Sequence, residues 1–113
     1  MAEKNKPSFY KEVRKQFPEV FTAVENLGTT VRTAGPLDEK TSQLIQLAAA
    51  AAGQSEGSVS SHTRRAVQAG ATPEEITHTL LLLVSTIGFP QTMAAMYWAT
   101  EVLGTKSKTK KDK

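Results

Sequence analysis

Ala69-Gly70-Ala71-Thr72-Pro73-Glu74-Glu75-Ile76 packs the end of one helix and the start of the next into a single short stretch. Gly70 supplies the backbone freedom that helix C-termini use. Thr72 is a capping hydroxyl, and Pro73 fits the first helical position. Glu75 stands three residues after the cap, the spacing of a capping box. Upstream, Ser55 to Ala69 reads as the helix that Gly70 ends. Before it, Asp38 is a good N-cap for a helix through Thr41, Leu44, Ile45, Leu47 and the run Ala48 to Ala52, with Gly53 as its stop. Downstream, Ile76, Leu80, Leu83, Val84 and Ile87 mark a core stripe as far as Gly88. Leu81 and Leu82 widen it, which predicts a central or interface helix. Pro90 opens a last helix with Met93, Met96, Tyr97, Thr100 and Leu103 on one side, closed by Gly104.

Nearer the start, Gly35-Pro36 is a turn signal. Pro18 opens a helix carrying Val20, Phe21, Val24 and Leu27, which Gly28 ends or loosens, and Ser8 to Lys15 reads as a short helix. No stretch shows strand alternation. The predicted fold class is all-α, a single-domain bundle of five to six helices. Residues 1–16 are an N-terminal segment, partly helical; 17–104 form the helical domain; 105–113 are a Lys-rich disordered tail.

Charge supports that division. The chain of 113 residues has a formal net charge of +3. Lys106, Lys108, Lys110, Lys111 and Lys113 stand against Asp112 alone in the tail, so the rest of the chain is close to neutral. Such a tail reads as a solubilising end, and no nucleic-acid partner is expected. The most apolar window, Leu80 to Ala99, is broken by Gly88-Phe89-Pro90 and by Ser85, Thr86, Gln91 and Thr92. Two buried helices fit it better than a membrane span. The N-terminal residues lack the apolar core of a signal peptide, so a cytoplasmic location is expected. A chain this small gains by burying more surface in a homo-oligomer. Cysteine is absent, which removes disulfides, thiolate metal sites and thiol catalysis together.

The residues able to do chemistry gather around one helix. His62 shares a semi-apolar face with Val59, Thr63 and Ala66. It is either a hydrogen-bonded structural residue or a general acid/base, since imidazole titrates near neutral pH. Glu56 is either a carboxylate favoured by the helix dipole or a second proton-transfer group. Arg64 and Arg65 either form ion pairs or hold a carboxylate ligand by bidentate pairing. Ser55, Ser58, Ser60 and Ser61 read as caps and polar filling, since no hydrolase-type Gly-x-Ser-x-Gly is present. With two histidines and no suitable carboxylate spacing, no metal site is expected, and no cofactor.

Taken together, Leu37-Asp38-Glu39-Lys40-Thr41, the alanine helix, His62-Thr63-Arg64-Arg65-Ala66, the 69–76 stretch and Gly88-Phe89-Pro90 resemble the carboxymuconolactone decarboxylase family, which includes the alkyl hydroperoxidase D-like proteins. The resemblance covers about Gly35 to Leu103. It implies an all-helical fold and homo-oligomers, commonly trimers or hexamers. The family's redox branch uses a glutamate, two cysteines and a histidine. Here only His62 matches; the glutamate position holds Gln43 and the cysteine positions hold Ser55 and Ser58. Hydroxyls cannot form a disulfide or reduce a peroxide, so thiol peroxidase activity is excluded. The resemblance to the decarboxylase branch rests on Glu56, His62 and the Gly-x-Pro turn, although Tyr97 and Trp98 replace two histidines of that branch's last helix. It implies a cofactor-free acid/base enzyme acting on a small carboxylate or lactone. His62 and Glu56 would be its catalytic groups, and Arg64 and Arg65 would bind the substrate. The alternative is a non-catalytic oligomeric scaffold that has lost the redox site.

Overall fold

The structure is a computed structural model that describes the backbone of residues 2–111 and the side chains of residues 9–104. The chain forms two compact units, Met1–Pro36 and Leu37–Lys113. Every described element is helical.

The first unit is a helical hairpin of α1 (Ala2–Gln16) and α2 (Pro18–Arg32). Pro18 sits at the start of α2, where its missing N–H costs nothing. Within the hairpin, Tyr10 meets the Phe21 ring edge-on at 5.3 Å, and the guanidinium of Arg14 lies over that ring while bonding to Glu25 through both of its terminal nitrogens. Gly28 does not end α2, which runs on to Arg32, so of the two expected outcomes the helix stop does not occur. Gly28 lacks the positive φ that lets glycine stop a helix, so it merely weakens the element. No residue of α2 is buried.

The second unit holds α3 (Glu39–Ala52), α4 (Glu56–Gln68), α5 (Pro73–Leu81), the single turn α6 (Val84–Ile87) and α7 (Phe89–Lys111). The expected caps are all present. Asp38 accepts from the Thr41 N–H at 2.8 Å, and the Thr72/Glu75 capping box is closed in both directions at 3.0 Å. These bonds hold both carboxyls below their usual range: the Thr41 bonds act on Asp38, and the Thr72 N–H followed by Lys40 act on Glu75. Lys40 reaches Glu75 at 3.1 Å and ties the start of α3 to the start of α5.

Helices α3 and α4 end in the same way, with different residues. After α4, Gly70 takes φ 104; its N–H bonds to Val67, and the Ala71 N–H bonds to Ala66. After α3, Gly53 stays right-handed and Gln54 takes the left-handed position at φ 57, with Gln54 and Ser55 N–H groups bonding to Ala51 and Ala50. Both are Schellman closures.

Two expectations of continuity change. The apolar run after Thr72 is not one helix. At Leu83 the hydrogen bonding tightens to an i→i−3 step onto Leu80, and α5 breaks from α6. Leu81 and Leu82 are exposed at 50% and 60%, so of the two expected settings, central or interface, the central one does not hold for them. Conversely, α7 runs through Gly104, which also lacks a positive φ. The expected disordered tail at 105–113 falls on residues whose side chains lie outside those described.

The core lies in the second unit. Leu47 and Ala51 of α3, Val59 and Ala66 of α4, Ala71, Ile76 and Leu80 around α5, and Ala95 and Ala99 of α7 are buried. Leu47, Ile76 and Leu80 each contribute ~1.5–3 kcal/mol by burial. The alanines contribute mainly by letting helix axes approach. The fully buried face of α7 is Thr92, Ala95 and Ala99; of the side grouped as Met93, Met96, Tyr97, Thr100 and Leu103, Met96 and Leu103 pack against the core while Tyr97 is 62% exposed.

Candidate functional site

The site is built where α3 and α4 pack, the most extensive helix pairing in the unit. Two turns into α4, His62 is half-buried and faces α3. Its Nδ1 lies 2.8 Å from Oε1 of Gln43. Gln43 is only 1% exposed, yet its amide is engaged at both ends: Nε2 donates to Glu39 Oε2 at 2.9 Å, one helical turn back. A buried amide without partners would cost about 1–3 kcal/mol, so this pairing is what makes a glutamine tolerable there. The arrangement is a line of polar groups, Glu39, Gln43, His62, running from an exposed carboxylate to an imidazole.

The other sequence-derived candidates sit around α4 as follows. Ser55 is its N-cap, its hydroxyl accepting the Ser58 N–H at 3.4 Å. Ser58 is exposed in the first turn. Glu56 is the first helical residue, also exposed, where the helix dipole favours a carboxylate. At 100° and 1.5 Å per residue it stands about 120° round the helix from His62 and about 9 Å along it. Arg65 stands about 60° from His62 and Arg64 about 160°. Both arginines are exposed. The structure therefore brings Gln43 to His62, places Arg65 on the neighbouring face, and turns Arg64 and Glu56 further away.

Glu39 was missed in the sequence. The available signal was its i, i+4 spacing to Gln43, which puts both on one face of α3. Two further polar groups surface only in three dimensions. Thr63 and Thr92, on the packed helices α4 and α7, are fully buried, and their hydroxyls have no hydrogen-bond partner among the described residues. Among those residues, too, no three His, Cys, Asp or Glu side chains gather as a metal-ion set, and no helix is long and apolar enough to cross a membrane.

The carboxymuconolactone decarboxylase family model matches residues 18–101. The chain belongs to this family. This carboxymuconolactone decarboxylase family member is similar to the crystal structure of apo-lpg0406, a protein of the same family from Legionella pneumophila. The two superpose with a TM-score of 0.76 at 33% identity, over 90% of each chain. It is also 35% identical over 92 residues to the uncharacterized protein MJ1511 of Methanocaldococcus jannaschii, which spans 81% of this chain and 86% of that one. Of the positions that the resemblance set against the redox branch, Gln43 and His62 are in direct contact, and Ser55 and Ser58 are the cap and the first turn of the same helix.

Proposed function

We propose that this family member is a cofactor-free acid/base enzyme of the cytoplasm that moves a proton at a carbon next to a carboxylate or lactone, with His62 as the proton-transfer group. The observation that carries the reading is the hydrogen bond from His62 to a buried amide that is itself anchored on a carboxylate. A side chain held this way is oriented for repeated proton exchange. Arg65 is the better placed of the two arginines to hold an acid group, by bidentate pairing. Arg64 and Glu56, turned away on the same helix, would act only on a ligand that spans the helix or from across a subunit contact.

The proposal includes a homo-oligomer, a trimer or hexamer. Its support is the unburied apolar face of α2, where Val20, Val24, Leu27 and Val31 are 56%, 61%, 62% and 57% exposed at coiled-coil-like spacing. One observation favours a second reading, a non-catalytic oligomeric scaffold. Ser55, at a thiol position of the redox branch, serves here as a helix cap, a purely structural task.

A screen of small lactone acids and other carboxylates, monitored for decarboxylation or isomerisation, separates the two. Under the enzymatic reading His62→Ala lowers the rate by about 10²- to 10⁴-fold. Equal rates for parent and variant would assign the scaffold role.

A further inference from the structure

An imidazole can exchange its proton at either of two nitrogens, and the nitrogen used decides where a substrate must stand. In this chain the choice follows from Glu39, through Gln43. An ionised carboxylate has only lone pairs to offer, so the Gln43 group facing Glu39 at 2.9 Å must be its NH2. The Gln43 carbonyl oxygen then faces His62, at 2.8 Å from Nδ1. Carbonyl oxygen cannot donate, so Nδ1 must carry the hydrogen. Turning the amide over would set its oxygen against the carboxylate, two acceptors in contact around a side chain that is 1% exposed. At such a buried position a mismatched polar pair is strongly disfavoured.

We infer that Glu39 is a positioning residue that, through Gln43, holds neutral His62 as the Nδ1–H tautomer and so makes Nε2 the nitrogen that gains and loses the proton. The Nδ1 hydrogen stays in place in both charge states, so the ring takes up and releases its proton without reorienting. The consequence for turnover rests on the acid/base reading above. The tautomer itself does not.

The test is nitrogen NMR of the uniformly 15N-labelled full chain carrying His78→Asn, which leaves His62 as the single histidine. Above the His62 titration midpoint, long-range proton–nitrogen correlations are expected to show a protonated Nδ1 and a pyridine-like Nε2. A protonated Nε2 overturns the inference. Glu39→Ala removes the anchor from an exposed position at the start of α3, and circular dichroism checks that the variant keeps its fold. The expected result is loss of the single-tautomer pattern, with both nitrogens moving to averaged shifts. An unchanged pattern overturns the part assigned to Glu39. Should that variant not fold, the spectrum of the parent protein still decides the tautomer. A chain inactive in every screen but with Nδ1–H at His62 would sink the enzymatic reading alone. An active chain with Nε2–H would sink this inference alone.

Discussion

At the scale of single residues, Gln43 has the largest leverage. A neutral amide between Glu39 and His62 passes the influence of one carboxylate to the imidazole. Gln43→Glu combined with Glu39→Gln puts a negative charge at the contact without setting two carboxylates against each other, and an opposite charge within hydrogen-bond reach favours the protonated ring. The expected outcome is a rise in the His62 titration midpoint of about one pH unit or more, followed by NMR in the His78→Asn background. An unmoved midpoint would show that position 43 does not govern the histidine. The group at this site was partly legible in the sequence. Gln43, Ser55, Ser58 and His62 could be set against a family frame. Glu39 could not, because an acid in the first turn of a helix already has a sufficient reason to be there. Its second task exists only once α4 packs against α3 and brings His62 alongside Gln43.

At the scale of elements, the two Schellman closures invite comparison. Gly70 takes the left-handed conformation without a side-chain clash, whereas Gln54 takes it with a Cβ. A left-handed residue other than glycine costs about 1–2 kcal/mol, and the added freedom of glycine in the unfolded chain returns part of that. Gln54→Gly is therefore expected to stabilise the protein by about 0.5–1 kcal/mol, read as a higher midpoint in urea denaturation. A lower midpoint would mean that the Gln54 side chain contributes more than its backbone costs. The caps at Asp38 and Thr72 were legible because each is a local arrangement of a few residues. The break at Leu82-Leu83 was not, since nothing in a run of leucines signals a tightened turn. Gly104 misled for the opposite reason: glycine permits a helix to stop but does not compel it, and neighbouring turns carry the helix through.

For the molecule as a whole, the contrast is between a second unit that buries its core and an α2 that buries nothing. A helix with four large aliphatic residues on one exposed face is incomplete as a surface. Val24→Glu combined with Leu27→Lys places charge in the middle of that face. Under the proposed homo-oligomer, sedimentation equilibrium is expected to show the parent's assembly replaced by smaller species in the variant, with helicity retained. If the mass of the parent assembly persists, α2 is not the contact. The periodicity of Val20, Val24 and Leu27 was readable as a helix, but its exposure was not, because an amphipathic pattern reports an apolar face without saying what covers it.

The alanine seam formed by Ala51, Ala66, Ala95 and Ala99 has a consequence for how such a chain can diverge. Where helix axes are set by methyl-sized contacts, any larger side chain must push the frame apart, so substitutions along the seam are filtered by volume alone. Exposed positions, such as Ser58, carry no such restriction and can exchange thiol for hydroxyl while the backbone beneath them stays put. Sequence drift is thereby channelled away from the scaffold and into the few residues that decide reactivity. That is how one helical frame can be inherited intact by proteins whose chemistries have parted.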